Sequence, residues 1–252
     1  MSLLETRGLT KEFGGLVAVD DVDLDIQEDE RVSVIGPNGA GKSTLINLIT
    51  RMLDPTDGDI RFKGETITDL DPYDVVQMGV SKSFQTASIF PELTVEDNAR
   101  IAALAAEHGS FKFNFLRHQN HYPEVAELTH DTLDSVGLLG QRETTAADLP
   151  YGDKRRLELG IALASEPDLL LMDEPTAGMS PEETQATVEL IEQVKEELGL
   201  TILLVEHDME IVFNVSDRIV VLNRGGIIAR GTPDEVQGDP EVQEAYLGGV
   251  EL

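Results

Sequence analysis

Residues 36 to 44 read Gly36-Pro37-Asn38-Gly39-Ala40-Gly41-Lys42-Ser43-Thr44, between an apolar run at 32–35 and a helix-like stretch from Ser43 to Met52. This spacing of glycines, lysine and hydroxyl marks a phosphate-binding loop and dictates a strand, a loop and a helix in that order. Glycine at the turning positions lets successive backbone N–H groups converge on phosphate oxygens at a helix N-terminus. Lys42 is expected to carry positive charge to the β- and γ-phosphates of a nucleotide, and the Ser43 hydroxyl to ligate Mg²⁺. All nine residues are therefore candidates for the nucleotide site.

Around this loop, short apolar runs recur at 22–26, 32–35, 60–62, 169–172, 202–205 and 219–222. Rich in Ile, Val and Leu and bounded by Gly, Asp or Asn, they predict strands, the later ones buried and parallel. Ser180-Pro181-Glu182-Glu183 predicts an N-cap, a proline at the first helical position and an acidic N3 residue, with Gly199 closing that helix. Strands alternating with helices predict an α/β fold with a mostly parallel sheet. Between Thr86 and Ser165 the strand signals vanish, and helices are expected at 95–107, 125–136 and 155–164. This interval reads as a helical subdomain inserted into the core. Its aromatic stretch at 111–122 carries His118 and His121, with His108 just before it. Histidines without neighbouring carboxylates or thiolates are read as surface residues, and no metal is assigned to them.

At 252 residues the chain fits one large α/β domain. Its charge is unusual: 48 acidic against 19 basic residues, a formal net charge of -29. The carboxylates are spread through the whole chain, from Asp20-Asp21-Val22-Asp23 to Asp234-Glu235, so they form no acidic tail. Such a surface repels itself unless salt screens it, which points to a salt-rich cytoplasm of the halophilic kind. The same charge excludes nucleic acid as a partner, because phosphate backbones are held by clusters of Lys and Arg that this chain lacks. With no cysteine, disulfides, thiolate metal sites and redox thiols are excluded too. No apolar run approaches the ~18 residues needed to cross a bilayer, so a cytosolic protein that touches membrane only through a partner is expected.

Two further strand ends carry chemistry. The run at 169–172 leads into Asp173-Glu174, where Asp173 can hold Mg²⁺ beside Ser43 and Glu174 can polarise an attacking water. The run at 202–205 leads into Glu206-His207-Asp208, and if the two strands are parallel His207 rises on the same edge as Glu174. His207 is then placed to contact the γ-phosphate or to position Glu174.

Taken together, these motifs resemble the ATP-binding subunit of an ABC transporter over essentially the entire chain. The resemblance implies a phosphate-loop NTPase (RecA-like) core with an antiparallel β subdomain at 1–86 and 166–252, and a helical subdomain at 87–165. Phe13 matches the family's adenine-stacking aromatic. Gln85 matches the glutamine that reaches Mg²⁺ and the attacking water. Leu149-Pro150-Tyr151-Gly152-Asp153 occupies the signature position, so Tyr151, Gly152 and Asp153 are expected to face nucleotide across a dimer. Residues 176–180 occupy the dimer-contact loop, and His207 the switch histidine. Pro150 stands where the family has a serine, and it offers neither hydroxyl nor backbone N–H. Two ATPase subunits facing head to tail are implied, identical or different, with ATP and Mg²⁺ bound between them.

Finer features are similar to the ATPases of branched-chain amino acid importers: Phe13-Gly14-Gly15-Leu16-Val17-Ala18-Val19, the Arg155-Arg156 pair after the signature, the Ala177-Gly178-Met179-Ser180-Pro181 stretch and the ending Ala245-Tyr246-Leu247-Gly248. That likeness implies integral-membrane permease subunits as partners, an external solute-binding protein acting indirectly, and a peripheral position on the cytoplasmic face of the cell membrane. Urea or amide importers share these traits, and an iron–sulfur assembly ATPase of the same fold is the alternative outside transport.

Overall fold

The computed structural model describes residues 2–83, 89–108 and 123–247. Its antiparallel sheet is ordered β2-β1-β4-β5, from β1 (Ser2–Phe13), β2 (Leu16–Gln27), β4 (Asp57–Phe62) and β5 (Glu65–Thr66). The second sheet runs β10-β9-β3-β8-β7-β6, from β3 (Arg31–Ile35), β6 (Val80–Ser83), β7 (Leu169–Asp173), β8 (Thr201–Val205), β9 (Arg218–Asn223) and β10 (Gly226–Gly231). Strands β9, β3, β8, β7 and β6 pair in parallel, and β10 turns back antiparallel on β9.

Every residue of β7 and β8 is buried. Their apolar runs are continuous because both faces of the sheet are covered. On one face Val34, Leu171, Leu203 and Val205 pack with the antiparallel sheet and α1 (Lys42–Ile49). On the other, Leu170, Met172, Ile202 and Leu204 pack against α5 (Tyr151–Leu163) and α6 (Pro181–Leu198). The alternation follows from successive side chains pointing to opposite faces.

The helix at α6 starts as expected. Ser180 accepts from the Glu183 N–H while the Glu183 carboxylate accepts from the Ser180 N–H, and Gly199 closes the helix at φ 65°. Other expectations need correction. The run at 22–26 belongs to the 12-residue β2, and β1, of equal length, carries no continuous apolar signal because its exposed face interleaves polar residues. Strands β6 and β10 are likewise too short or too polar to stand out. Helix α5 begins at Tyr151 rather than Arg155, since Pro150 serves as its N-cap and Gly152 masks the helical pattern.

Between the core halves, α3 (Val95–His108) and α4 (Pro123–Ser135) join α5 in a helical layer, tied by an isolated bridge between Thr94 and Thr145. The remaining helices are α2 (Pro72–Gln77), α7 (Met209–Val215), α8 (Pro233–Gln237) and α9 (Pro240–Leu247). The aromatic stretch with His118 and His121 lies outside the described residues.

Candidate functional site

Because β3, β8 and β7 are parallel neighbours, their C-terminal ends open on one edge of the sheet, where α/β folds bind ligands. Val205 is aligned with Val34 on one side and with Asp173 on the other. The phosphate loop, His207 and the Asp173-Glu174 pair therefore leave the sheet side by side.

Backbone packing shapes the loop. A Cβ on Gly36 would lie 2.1 Å from the Leu222 carbonyl oxygen, and one on Gly41 2.3 Å from that of Ala18. No other residue fits at either place. Ala40 is buried and its carbonyl accepts from the Gly225 N–H at 3.0 Å, whereas Asn38 and Gly39 are exposed and Pro37 is half-buried. Gly41 caps α1, which puts Lys42, Ser43 and Thr44 in its first turn, where backbone N–H groups have no helical partner. Ser43 is exposed and Thr44 half-buried.

Lys42 is 8% exposed, and its ammonium donates to the carbonyls of Gly36 at 2.6 Å and Pro37 at 3.2 Å. Burial pulls its pKa below the ordinary 10.5, against the opposing charges of Glu174 and Asp173. Those two carboxylates, more than 130 positions away in sequence, act on the same ammonium, as parallel strand ends require.

Asp173 is 1% exposed, and both its carboxylate oxygens are buried without a hydrogen-bond partner. Among the described residues the cation paired with it is Lys82, whose ammonium lies 3.6 Å from Asp173 Oδ2 and donates to Asn47 Oδ1 at 3.1 Å. Two buried, unbonded oxygens are the hard donors that a divalent cation such as Mg²⁺ takes, so the residues present fit that ion. Lys82 was missed in the sequence. A lone basic residue two places after Val80, in so acidic a chain, was the only signal available, and β6 is too short and polar to show as a strand.

Glu174 follows Asp173 with a left-handed backbone, φ 51°, and its N–H donates to the Val205 carbonyl at 2.8 Å. The His207 side chain is 62% exposed and its Nδ1 lies 3.6 Å from Glu206 Oε2. Glu206, also missed, is fully buried and accepts from Thr176 and from the His207 N–H.

At the far end of β1, Phe13 is 44% exposed under the Lys11 ammonium, 5.0 Å from its ring centre. The Ala18 carbonyl, on the same hairpin, abuts Gly41, so this hairpin flanks the loop. Tyr246, on α9, packs near Ile35 and receives a bond from the Gly36 backbone. Burial pushes its phenol up to about 12 even so.

Within the signature position, Tyr151 is exposed and its hydroxyl accepts from Arg155 at 3.0 Å. Gly152 lies in the first turn of α5. Asp153 is turned into its own subdomain, accepting from Gln141 at 2.9 Å with Arg156 3.8 Å away. Gln85 lies outside the described residues.

The family model described as ABC transporter matches residues 19–177, and that described as branched-chain amino acid ATP-binding cassette transporter matches residues 227–251. The chain is 40% identical to the high-affinity branched-chain amino acid transport ATP-binding protein BraF of Pseudomonas aeruginosa, over 98% of each. It is 39% identical to the corresponding protein LivG of Escherichia coli, again over 98% of each. Among solved structures, an ATP-binding cassette of an ABC transporter in its ADP conformation superposes with a TM-score of 0.84. That chain is 32% identical, and the match covers 98% of this chain and 99% of that one.

Proposed function

We propose a function for this chain from the premise that it belongs to the ABC transporter family of ATP-binding proteins, whose members hydrolyse ATP. It is the ATPase subunit of an importer for branched-chain, hydrophobic amino acids. The observation that carries this reading is the meeting of the phosphate loop, Asp173-Glu174 and His207 on one sheet edge, in a chain similar over its whole length to branched-chain amino acid transport ATPases.

ATP stacks its base on Phe13 and lays its phosphates along residues 36–44, where the first-turn N–H groups of α1 and the Lys42 ammonium meet the β- and γ-oxygens. When bound by Asp173 and Ser43, Mg²⁺ neutralises charge on the phosphate oxygens. Glu174 accepts a proton from water as its oxygen attacks the γ-phosphorus; the bond to the β-phosphate oxygen breaks, and ADP and inorganic phosphate leave. His207, exposed just beyond the end of β8, holds the γ-phosphate. Gln85 takes the role of the family glutamine toward Mg²⁺ and the attacking water.

Residues 1–86 and 166–252 act as the nucleotide-binding core and 87–165 as the helical subdomain. A second ATPase subunit, identical or different, closes the site with its signature position; here Tyr151 and Gly152 face the partner's nucleotide, while Asp153 is held within its own subdomain by Gln141 and Arg156. Closure is transmitted through the region around Gln85 to Thr94 to a coupling helix of the permease. Among the described residues no helix is long and apolar enough to cross a membrane, in keeping with a peripheral subunit on the cytoplasmic face. An external solute-binding protein delivers the amino acid to the permease.

The test uses a tagged Glu174→Gln chain in its native host, trapped with ATP at high salt and purified from solubilised membranes. Recovery of multi-span permease subunits together with a second ATPase copy supports the reading. Recovery of soluble scaffold proteins alone overturns it.

A further inference from the structure

We infer that Glu206 is a positioning residue for Glu174, the residue that fixes where the carboxylate of the catalytic base stands. The inference rests on the reading of Glu174 as base.

Strands β7 and β8 are paired up to Asp173 and Val205, and there the two chains part. Glu174 takes a left-handed backbone at φ 51°, a conformation that a residue with a side chain keeps only when its surroundings hold it. Two ties from the end of β8 do so. Before the bend, the Glu174 N–H donates to the Val205 carbonyl at 2.8 Å. Beyond it, Thr176 donates twice to one oxygen of Glu206, from its N–H at 3.1 Å and its hydroxyl at 2.6 Å. The bend is thus clamped on both sides by consecutive residues, Val205 at the end of the neighbouring strand and Glu206 just beyond it.

The other Glu206 oxygen accepts from the His207 N–H at 3.1 Å. One buried carboxylate therefore joins the loop of the base to the residue placed against the γ-phosphate. A fully buried carboxylate is costly to keep unless donors surround it, and three donors do. They all come from the two loops that carry Glu174 and His207. A carboxylate serving only the core would be placed equally well by donors elsewhere in the sheet.

Two variants of the full-length chain separate positioning from structure. Glu206→Gln keeps an acceptor for one loop and turns a donor toward the other. Thr176→Val removes only the hydroxyl, and Thr176→Ser restores it. The expected result is a kcat for ATP lower by ~10- to ~100-fold in Glu206→Gln and Thr176→Val, recovery in Thr176→Ser, and a KM close to wild type, with a lowered melting temperature in Glu206→Gln where a buried donor is left unpaired. In a Glu174→Gln background, the residual rate should not fall further when Glu206→Gln is added, because Glu206 acts through Glu174. Unchanged kcat in both variants, or an equal further loss on the Glu174→Gln background, overturns the inference. Undiminished turnover in Glu174→Gln alone would instead remove the base assignment itself, a separate failure read from a separate variant.

Discussion

The Lys42 ammonium donates to the carbonyl oxygen of Gly36, 2.6 Å away, so the residue that opens the phosphate loop holds the lysine that begins α1. Burial disfavours the charged form, and Glu174 and Asp173 favour it. On the proposed reading, phosphate oxygens take the place of these carbonyl acceptors around a cation that is already desolvated.

Lys42→Ala removes that cation from beside two carboxylates as well as from the nucleotide. One charge-assisted hydrogen bond is worth roughly 1.5–3 kcal/mol, so ATP affinity is expected to fall by ~10- to ~100-fold. Equilibrium titration with a fluorescent ATP analogue measures it, and an unchanged Kd would refute the role given to Lys42.

Pro150 caps α5 with neither a hydroxyl nor an N–H. Serine there is a better cap and adds a donor toward nucleotide held across the dimer. Turnover of Pro150→Ser should rise several-fold, up to ~10-fold, with a melting temperature no lower than wild type. Equal turnover would show that the hydroxyl is dispensable.

A net charge of -29 makes stability depend on screening. Thermal unfolding followed by far-UV circular dichroism should move to higher temperature between about 0.1 M and about 3 M KCl. A flat response would remove the argument for a salt-rich cytoplasm.

Asp217 accepts from the Arg31 backbone N–H at 2.8 Å and pairs with its guanidinium at 3.2 Å. Burial alone would raise the carboxyl, but these bonds outweigh it and hold it below its ordinary 3.8. A lowered folded-state pKa contributes stability above the unfolded value and loses it as pH falls toward the folded one. The gap in melting temperature between wild type and Asp217→Asn should thus be fully open above 3.8 and close as pH falls below it. A gap that persists unchanged at lower pH would contradict the assignment.

Local patterns were legible where the structure depends on neighbours in sequence. The loop at 36–44, the acidic end of β7 and the cap at Ser180 each declare themselves within a few residues. The long hairpin of β1 and β2 did not, because its exposed face is polar and its pairing is made by the partner strand. Nor did the tie between Thr176 and Glu206, which joins residues 30 positions apart and exists only because β7 and β8 are adjacent. Lys82 reads as a surface cation until β6 is set beside β7, which brings it to Asp173.

The most direct measurement is uptake of radiolabelled leucine, isoleucine, valine and urea by the native host carrying Lys42→Ala at the chromosomal locus. The account predicts loss of high-affinity uptake of the three amino acids with urea uptake unchanged. Intact branched-chain uptake alongside lost urea uptake would contradict it.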